Sequence, residues 1–404
     1  MRPLLLAAGL ILAGALLFTA FAVSAPVAIQ QTAAGRPAET LQERLKRLPA
    51  DHRGWAELGA QYVDQARVTG DPSYYVKAEG ALATAARLDP RDDTVLTGRA
   101  ALAAGRHEFA AAVELAERAV AVNPYSAGAH GVLADAHTQL GDLRAAQRAV
   151  DRMMSLRPGV AAFARASYAA ELRGDQEAAR SFLEYAHDDA HTPADLAYTR
   201  YYLGELALHG GDPATADRWY AQALEVQPAH TPALAGRARV AALDGRLTEA
   251  LGLYESVVQR LPLAQYLIEQ GETRLKAGLP ADWTVLRAQR TLLEQSGVRD
   301  DLTWAEFEAD HGDPARAVRH ARAEYGRNPN LVAADALAWA LHRAGDSEEA
   351  LRYARQATST GWRNPLLRHH RAEIERALGR SARGATSTPP PGFDPELPAL
   401  ARFS

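Results

Sequence analysis

The chain has 404 residues and a formal net charge of −4, and charged residues make up 23% of it. A nearly neutral chain lacks the basic surface that nucleic acid requires, so nucleic acid is excluded as the expected partner. The sequence contains no cysteine, which excludes disulfides, thiolate metal sites and a cysteine nucleophile. Any metal site would therefore depend on histidine, aspartate and glutamate.

Residues 1–26 form the first predicted element, a hydrophobic helix. Residues 3–35 carry no charge, and residues 4–23 are almost wholly apolar. Such a run is long enough to cross the ~30 Å core of a bilayer as an uncleaved signal-anchor. The small residues Ala20 and Ala22 also fit a signal-peptide cleavage site, so both interpretations stand. Either one predicts that the rest of the chain is extracytoplasmic, held at the cell membrane or secreted, with the membrane a partner only if the segment is uncleaved.

A linker and entry segment, residues 27–50, leads to a repeated pattern. Alanine is followed twelve residues later by proline at Ala78/Pro90, Ala112/Pro124, Ala146/Pro158, Ala216/Pro228, Ala250/Pro262 and Ala317/Pro329. Most successive pairs are 34 residues apart or about twice that distance. A repeat of this length is typical of stacked helix hairpins, because one hairpin cannot bury its apolar stripe alone.

The first repeat carries a family motif. Residues 55–62 read Trp-Ala-Glu-Leu-Gly-Ala-Gln-Tyr and match the pattern W-x2-L-G-x2-Y of the tetratricopeptide repeat at every fixed position. The chain therefore resembles the tetratricopeptide-repeat family, in particular its exported or membrane-anchored bacterial members. The resemblance implies an all-α fold, a right-handed superhelical α-solenoid of about nine to ten hairpins that follows the N-terminal hydrophobic helix.

Several segments depart from the regular repeat. Val68–Tyr75 lengthens the first repeat, which predicts a longer helix or loop there. His191 stands where proline is expected, and Pro193 follows it. The match weakens beyond Pro262, and Trp283 occupies an alanine position. We therefore divide the chain into a regular array (51–262), a degenerate array (263–380) and a Pro-rich C-terminal tail (381–404).

Glycines keep the register through both arrays. They are Gly141, Gly174, Gly211, Gly245, Gly278, Gly312, Gly345 and Gly379. Each follows an apolar-periodic segment, as expected for a helix-ending glycine with positive φ. The last repeat is predicted to consist of its first helix alone. Small residues at the alanine and glycine positions should let paired helices approach closely, with Tyr220 and Tyr254 filling the space between hairpins.

The resemblance also implies a partner-binding groove lined by the first helix of each hairpin. The matching positions here are Asp135, Tyr168, Glu171, Tyr198, Tyr201, Glu205, Arg239, Glu272 and Trp339, with Lys276, Glu306, Asp310 and Asp335 beside them. Aromatic and acidic side chains together suit an extended, partly basic peptide. Ordinary packing between repeats and solvated surface charge are the alternative interpretation of the same residues.

The sequence contains no P-loop, GxGxxG or HExxH motif, so we expect a non-enzymatic chain without catalytic residues, metal or cofactor. The predicted function is a protein–protein interaction scaffold of the bacterial cell envelope that presents the groove to a partner peptide or protein. One alternative is a self-associating structural or spacer protein, if the final helix exposes its apolar residues Leu366, Leu367 and Ile374. The other is an accessory metal-handling protein that uses His187 and His191, which are one helical turn apart.

Overall fold

A computed structural model describes residues 40–380 and 392–402. The helices are α1 (Leu41–Arg47), α2 (His52–Thr69), α3 (Ser73–Leu88), α4 (Asp93–Gly105), α5 (Phe109–Val122), α6 (Ala127–Gln139), α7 (Leu143–Leu156), α8 (Val160–Leu172), α9 (Gln176–Asp188), α10 (Pro193–His209), α11 (Pro213–Val226), α12 (Thr231–Leu243), α13 (Leu247–Arg260), α14 (Ala264–Lys276), α15 (Thr284–Gln295), α16 (Asp301–His311), α17 (Pro314–Arg327), α18 (Leu331–Arg343), α19 (Ser347–Ala357), α20 (Pro365–Ala377) and a 3₁₀ helix (Pro398–Ala401).

The helix predicted for residues 1–26 lies outside the described residues, as do most of the linker and the first part of the tail. Within the described ranges, we find no helix with the length and apolar character required to span a membrane. The predicted anchor or signal peptide thus stays a prediction.

Helices α2 to α19 pair as nine hairpins over the described residues, and α20 stands alone as the first helix of a tenth repeat. Even-numbered helices come first in each hairpin and odd-numbered helices second. Each first helix also packs on the second helix before it, except at α16. The α-solenoid and the reduction of the last repeat to one helix are confirmed.

Small residues bring the helices together, as expected. Ala78, Ala112 and Ala216 are completely buried. The fully buried ring of Tyr220 fills the space between α10 and α12, where a Cβ atom on Gly204 or Gly236 would lie 2.4 or 2.6 Å from it. Distances this short are collisions, so both glycines are needed to seat the ring.

Trp283 explains why the pattern weakens in the seventh hairpin, the most loosely packed of the nine that the structure describes. It precedes α15 and points back at α14, where a Cβ on Gly271 would lie 2.1 Å from the indole. The same ring packs edge-on against Phe307 of α16, with the ring centroids 5.1 Å apart. One large side chain thus replaces the alanine contacts of the other hairpins.

The other irregular segments are resolved locally. The lengthening at Val68–Tyr75 is confirmed as a longer hairpin, because α2 continues to Thr69 and Gly70 turns the chain in the left-handed conformation. Pro193 does not end α9. It begins α10, where a helix needs no N–H donor.

Seven of the eight register glycines have a positive φ, as predicted. The prediction is wrong at Gly312, whose φ is −137°. There the Glu308 carboxylate folds back and accepts the Asp313 N–H at 2.8 Å, and a Cβ on Gly312 would lie 1.9 Å from that carboxylate. Glycine at this position supplies space rather than a left-handed backbone.

The solenoid is wound tightly enough for its later hairpins to contact its earlier ones. The Asn330 side chain, at the start of α18, donates to Gln139 O, at the end of α6, and the two atoms are 2.9 Å apart. A Cβ on Gly141 would lie 2.6 Å from Pro329 O. The turns after α4 and α8 make equivalent contacts with the loops before α16 and α20. Hairpins distant in sequence therefore support each other.

The final helix does not expose its apolar residues, so that expectation is wrong. Leu366, Leu367 and Ile374 are 2%, 4% and 0% exposed. Leu367 packs in a cluster with Leu172 of α8, and Leu366 in a cluster with Phe393 of the C-terminal tail. Contact between distant hairpins and the tail covers the face that the repeat pattern left without a partner.

Candidate functional site

The first helices form the inner, concave side of the solenoid. Each first helix contacts the first helix of the next hairpin, whereas no two successive second helices in the described chain make a comparable contact. The layer of first helices is therefore the more crowded one, and the stack curves towards it. Polar side chains on this layer form a band from α6 to α20, which we call the inner strip.

The strip begins with a buried ion pair between α6 and α8. Arg165 donates from Nε to Asp135 Oδ1 at 3.0 Å and from Nη2 to Oδ2 at 2.8 Å. Burial raises the pKa of Asp135 to about 8, and the Arg165 charge and hydrogen bonds oppose that rise. Two parallel hydrogen bonds fix the geometry of this pair.

A buried triad links α10, α12 and α14. Arg239 is 1% exposed and donates to both oxygens of Glu205 and to Glu269 Oε1, with a donor–acceptor distance of 3.0 Å in each case. The hydroxyls of Tyr220 and Tyr254 donate to the same two carboxylates. Burial raises the pKa of Glu269 to about 7, and Arg239 limits the rise. Every charge in the triad has a partner on a neighbouring hairpin.

Histidines and a tryptophan continue the strip. Glu171 pairs with His209 at 3.1 Å, and Glu272 with His311 at 2.9 Å. Trp339 connects α16, α18 and α20, because Nε1 donates to Asp310 at 2.7 Å and its ring stacks on His370 with centroids 4.1 Å apart. His370 also pairs with Asp335 at 2.8 Å.

The predicted tyrosines are divided between packing and a pocket. Tyr198 and Tyr201 contact the ring of Tyr202 at 4.6 and 5.0 Å, and Tyr201 is 6% exposed. Burial raises the pKa of Tyr201 well above its usual value, as expected for a packed ring. Tyr168 is half-buried and packs against the cluster that contains Leu172 and Leu367. It also lines a small pocket between α6 and α8 with Ala134, Asp135, Thr138, Gln139, Val150, Arg165 and Ala169.

Residues 392–402, which we call the tail segment, lie across the first helices of the last hairpins. The 3₁₀ helix within this segment contacts α14 and α20. Ala399 N donates to Glu272 Oε2 at 2.9 Å. Leu397 and Leu400 pack in a cluster with alanines of α12, and Phe393 with Leu366 of α20. A peptide-like stretch of the chain thus occupies part of the inner side.

Charged residues hold the tail segment at both ends. Lys276 pairs with Asp394 and, at 3.0 Å, with Glu396. Arg402 Nε lies 3.3 Å from Glu306 Oε2, and its Nη2 pairs with Asp310.

These contacts alter the titration of the acids that receive Arg402. Burial raises the pKa of Glu306 to about 7, while Arg402 acts against the rise. Burial also acts to raise the pKa of Asp310, but the charges of Arg402 and His370 and the hydrogen bond from Trp339 together lower it.

The repeat pattern did not predict three residues of the inner strip and the tail, namely Arg165, Glu269 and Arg402. Arg165 and Glu269 carried a signal, because opposite charges 30 residues apart (Asp135 and Arg165, Arg239 and Glu269) are nearly one repeat apart. Arg402 carried none, since the tail lies outside the repeat.

The histidines proposed for metal are separated by their contacts. His187 Nδ1 lies 3.1 Å from Thr199 Oγ1, whereas His191 is exposed. Within the described residues, the only His/Asp/Glu group spaced to hold a metal ion is His52, Asp89 and Asp92. Asp92 already caps the N-terminus of α4, so this group has a structural role.

Comparisons with known proteins agree with the repeat pattern. Residues 101–167 match the family model for the tetratricopeptide repeat (TPR). A search of curated proteins finds no match to this chain. Among solved structures, the chain is similar to a thermophilic TPR protein of Thermus thermophilus, at 23% identity over 47% of this chain and 97% of that one, with a TM-score of 0.41. YrrB, a TPR protein with an unusual peptide-binding site, is similar at 16% identity over 49% and 97%, with a TM-score of 0.31.

Proposed function

We propose that this chain, whose residues 101–167 match the family model for the tetratricopeptide repeat, is a non-enzymatic protein–protein interaction scaffold of the bacterial cell envelope. In this proposal the inner side receives an extended segment of a partner protein. The apolar composition of residues 1–26 supports the part of this proposal that puts the array outside the cytoplasmic membrane, with the segment as an anchor or as a cleaved signal.

The observation that carries the proposal is the tail segment itself. The first helices hold its eleven residues (392–402) through apolar contacts, one main-chain hydrogen bond and ion pairs. These are the contacts by which an extended peptide binds a groove. An inner side that binds one such segment has the chemistry to bind others.

The pocket between α6 and α8 is the part of the inner side we assign to the partner first. It presents the half-buried Tyr168 beside the Asp135–Arg165 pair, which combines an aromatic surface with fixed charges. Buried aromatic and arginine side chains supply much of the binding energy in protein interfaces. The other predicted groove residues position these groups or line the path towards the tail segment.

Site-specific photo-crosslinking in the native envelope tests this assignment. A photoreactive phenylalanine analogue at Tyr168 should crosslink the partner, whereas the same analogue at Tyr125, which is 74% exposed outside the strip, should not. Mass spectrometry of the adduct then identifies the partner. Equal capture from both positions, or capture from Tyr125 alone, would overturn the assignment of the inner side.

The self-association alternative loses its reason, because the apolar residues of α20 are buried. The metal-handling alternative gains no support from the separate contacts of His187 and His191.

A further inference from the structure

We propose that the inner side between α12 and α20 is a binding site for a partner segment with the chemistry of the tail segment, and that the tail segment occupies this site as an internal competitor. This inference rests on the proposed scaffold function. It adds which kind of segment is recognised and what controls access to the site.

The apolar part of the recognised pattern is a phenylalanine followed by two leucines. Phe393, Leu397 and Leu400 are 7%, 0% and 5% exposed, although their segment has only turns and one short 3₁₀ helix. Phe393 lies against Leu366 and the His369 ring, whose centroid is 5.3 Å away. Burying three such side chains is a large part of what anchors a peptide in a groove.

The polar part of the pattern is a basic residue at the end and acidic residues near the start. Glu306 and Asp310 both receive Arg402, and Lys276 receives Asp394 and Glu396. A segment with the opposite order of charges would place acids beside Glu306 and Asp310. The site therefore selects the direction in which a segment binds as well as its composition.

Glu272 is the acceptor that the site offers to the main chain of its occupant. Its side chain is 1% exposed, and its two oxygens accept from His311 and from the Ala399 main chain. Removal of the tail segment would leave one oxygen of a deeply placed carboxylate without that donor. The main-chain N–H of any extended partner segment can replace it, because every residue except proline has one.

The tail segment is attached in the manner of a docked peptide. Among the described main-chain hydrogen bonds of residues 392–402, one reaches the helical array, from Ala399 to Glu272, and the rest are turns within the segment. Helix α20 ends at Ala377, and Gly379 follows it in the left-handed conformation. Side chains thus hold the segment, and a competitor with the same side chains can take its place.

Tethering makes the internal segment a strong competitor. A segment linked to its site through a short connection has an effective concentration on the order of millimolar. An outside segment must therefore bind well or be present at high local concentration to displace it. Access to the site is low unless a matched partner is present.

The test uses the full chain and a fluorescein-labelled peptide of residues 390–404. In the double variant Phe393→Ala/Leu397→Ala the tail should leave the site, and the peptide should bind at least ~100-fold more tightly than to the unmodified chain, by fluorescence anisotropy. A peptide with Arg402→Glu should not bind. The control variant Pro395→Ala changes an exposed tail residue outside the recognised pattern and should keep the peptide out.

Three results would overturn the proposal. One is a folded double variant, by circular dichroism, that binds no peptide. Another is a pair of observations: the double variant does not fold, and in the wild type the amides of the tail exchange hydrogen as slowly as those of α12. That pair would make the tail an integral part of the core. The third is a dimer of the wild-type chain in gel filtration, in which each tail occupies the site of the other copy. That result would assign the site to the tail of a second copy.

The peptide experiment and the crosslinking experiment fail independently. Peptide binding needs no cellular partner and reports on α12 to α20, whereas crosslinking from Tyr168 reports on the pocket between α6 and α8. A negative result in the peptide experiment would therefore not contradict the proposed scaffold function, and a negative result in the crosslinking experiment would not contradict the role of the tail segment.

Discussion

From α6 to α14, the inner strip balances its charges within the array, whereas from α14 to α20 it uses the tail. In the earlier part, Arg165 pairs with Asp135 on the preceding first helix, and Arg239 connects Glu205 and Glu269 on the first helices before and after its own. In the later part, Glu306 and Asp310 receive Arg402 of the tail segment, and Lys276 receives its acids. An acidic inner side needs cations in either case, because buried carboxylates without partners are costly. The first arrangement is closed, and the second depends on a segment that can be replaced.

The largest effect should follow from removing the cation of the closed part. Arg239→Met leaves Glu205 and Glu269 facing each other without compensation, which should lower the free energy of unfolding by about 3–5 kcal/mol. Urea denaturation followed by circular dichroism measures the change. Arg237→Met, on the same helix, breaks a pair with Asp217 whose side chains are about one-third exposed and should cost about 0–1 kcal/mol. Similar losses in both variants would contradict the view that the triad carries the earlier part.

A second effect concerns the contact between early and late hairpins. Gly141 and Gly245 have the same φ of +76°, but a Cβ on Gly141 would meet Pro329 O at 2.6 Å, whereas nothing lies within 4 Å of one on Gly245. Gly245→Ala should cost about 1 kcal/mol for backbone strain alone. Gly141→Ala should cost about 3 kcal/mol, because Pro329 must also move. Equal melting temperatures would mean that the two parts of the solenoid do not depend on this contact.

The third effect is a pH dependence of the earlier part of the array, at the N-terminus of α12. His230 caps α12 by accepting the Ala233 N–H at 3.2 Å, and burial lowers its pKa to about 4. The folded protein thus binds this proton more weakly than the unfolded chain, whose histidine titrates near 6.5. Its stability contribution is present above pH ~6.5 and is lost as the pH falls towards 4, by about 3 kcal/mol for this difference between the two pKa values.

His230→Asn provides the matched control for that pH dependence. Asparagine keeps a side-chain acceptor at the cap but does not titrate. The difference in unfolding free energy between the wild type and this variant should therefore change between pH 7 and pH 4. A parallel pair of pH profiles would show that His230 does not contribute.

The sequence predicted the hairpins well because their determinants are local and periodic. Alanine at residues such as Ala216, tyrosine at Tyr220 and glycine at Gly245 each act within one hairpin or its neighbour, so a fixed period reports them. Gly312 shows the limit of the pattern. Glycine occurs there at the expected position in the repeat, but the reason is the space taken by the Glu308 carboxylate and not a positive φ.

The candidate site was harder to predict because its pairs cross from one element to another. The repeat resemblance brought Glu205 and Arg239 to one surface, but it did not tell a pair from two solvated charges. Docking of the tail joins residues that are far apart in sequence. Lys276 lies 118 residues before Asp394 and 120 residues before Glu396, and Leu397 packs with alanines of α12. No periodic signal records such a contact, and the three prolines before it indicate only where a helix stops.

The smallest effect tests whether the later part depends on the tail. Lys276→Met removes the pairs with Asp394 and Glu396. All three of these side chains are at least partly exposed, so the free energy of unfolding should fall by less than about 1 kcal/mol. Amide exchange of residues 392–402 should nevertheless accelerate, while that of α12 stays unchanged, because the lost contacts hold only the tail segment. Arg246→Met, which breaks similarly exposed pairs with Asp244 and Glu249 outside the tail, serves as the control and should leave tail exchange unaltered. Uniform acceleration throughout the array in Lys276→Met would mean that the tail is part of the cooperative core, and the distinction between a closed and a replaceable set of charges would fail.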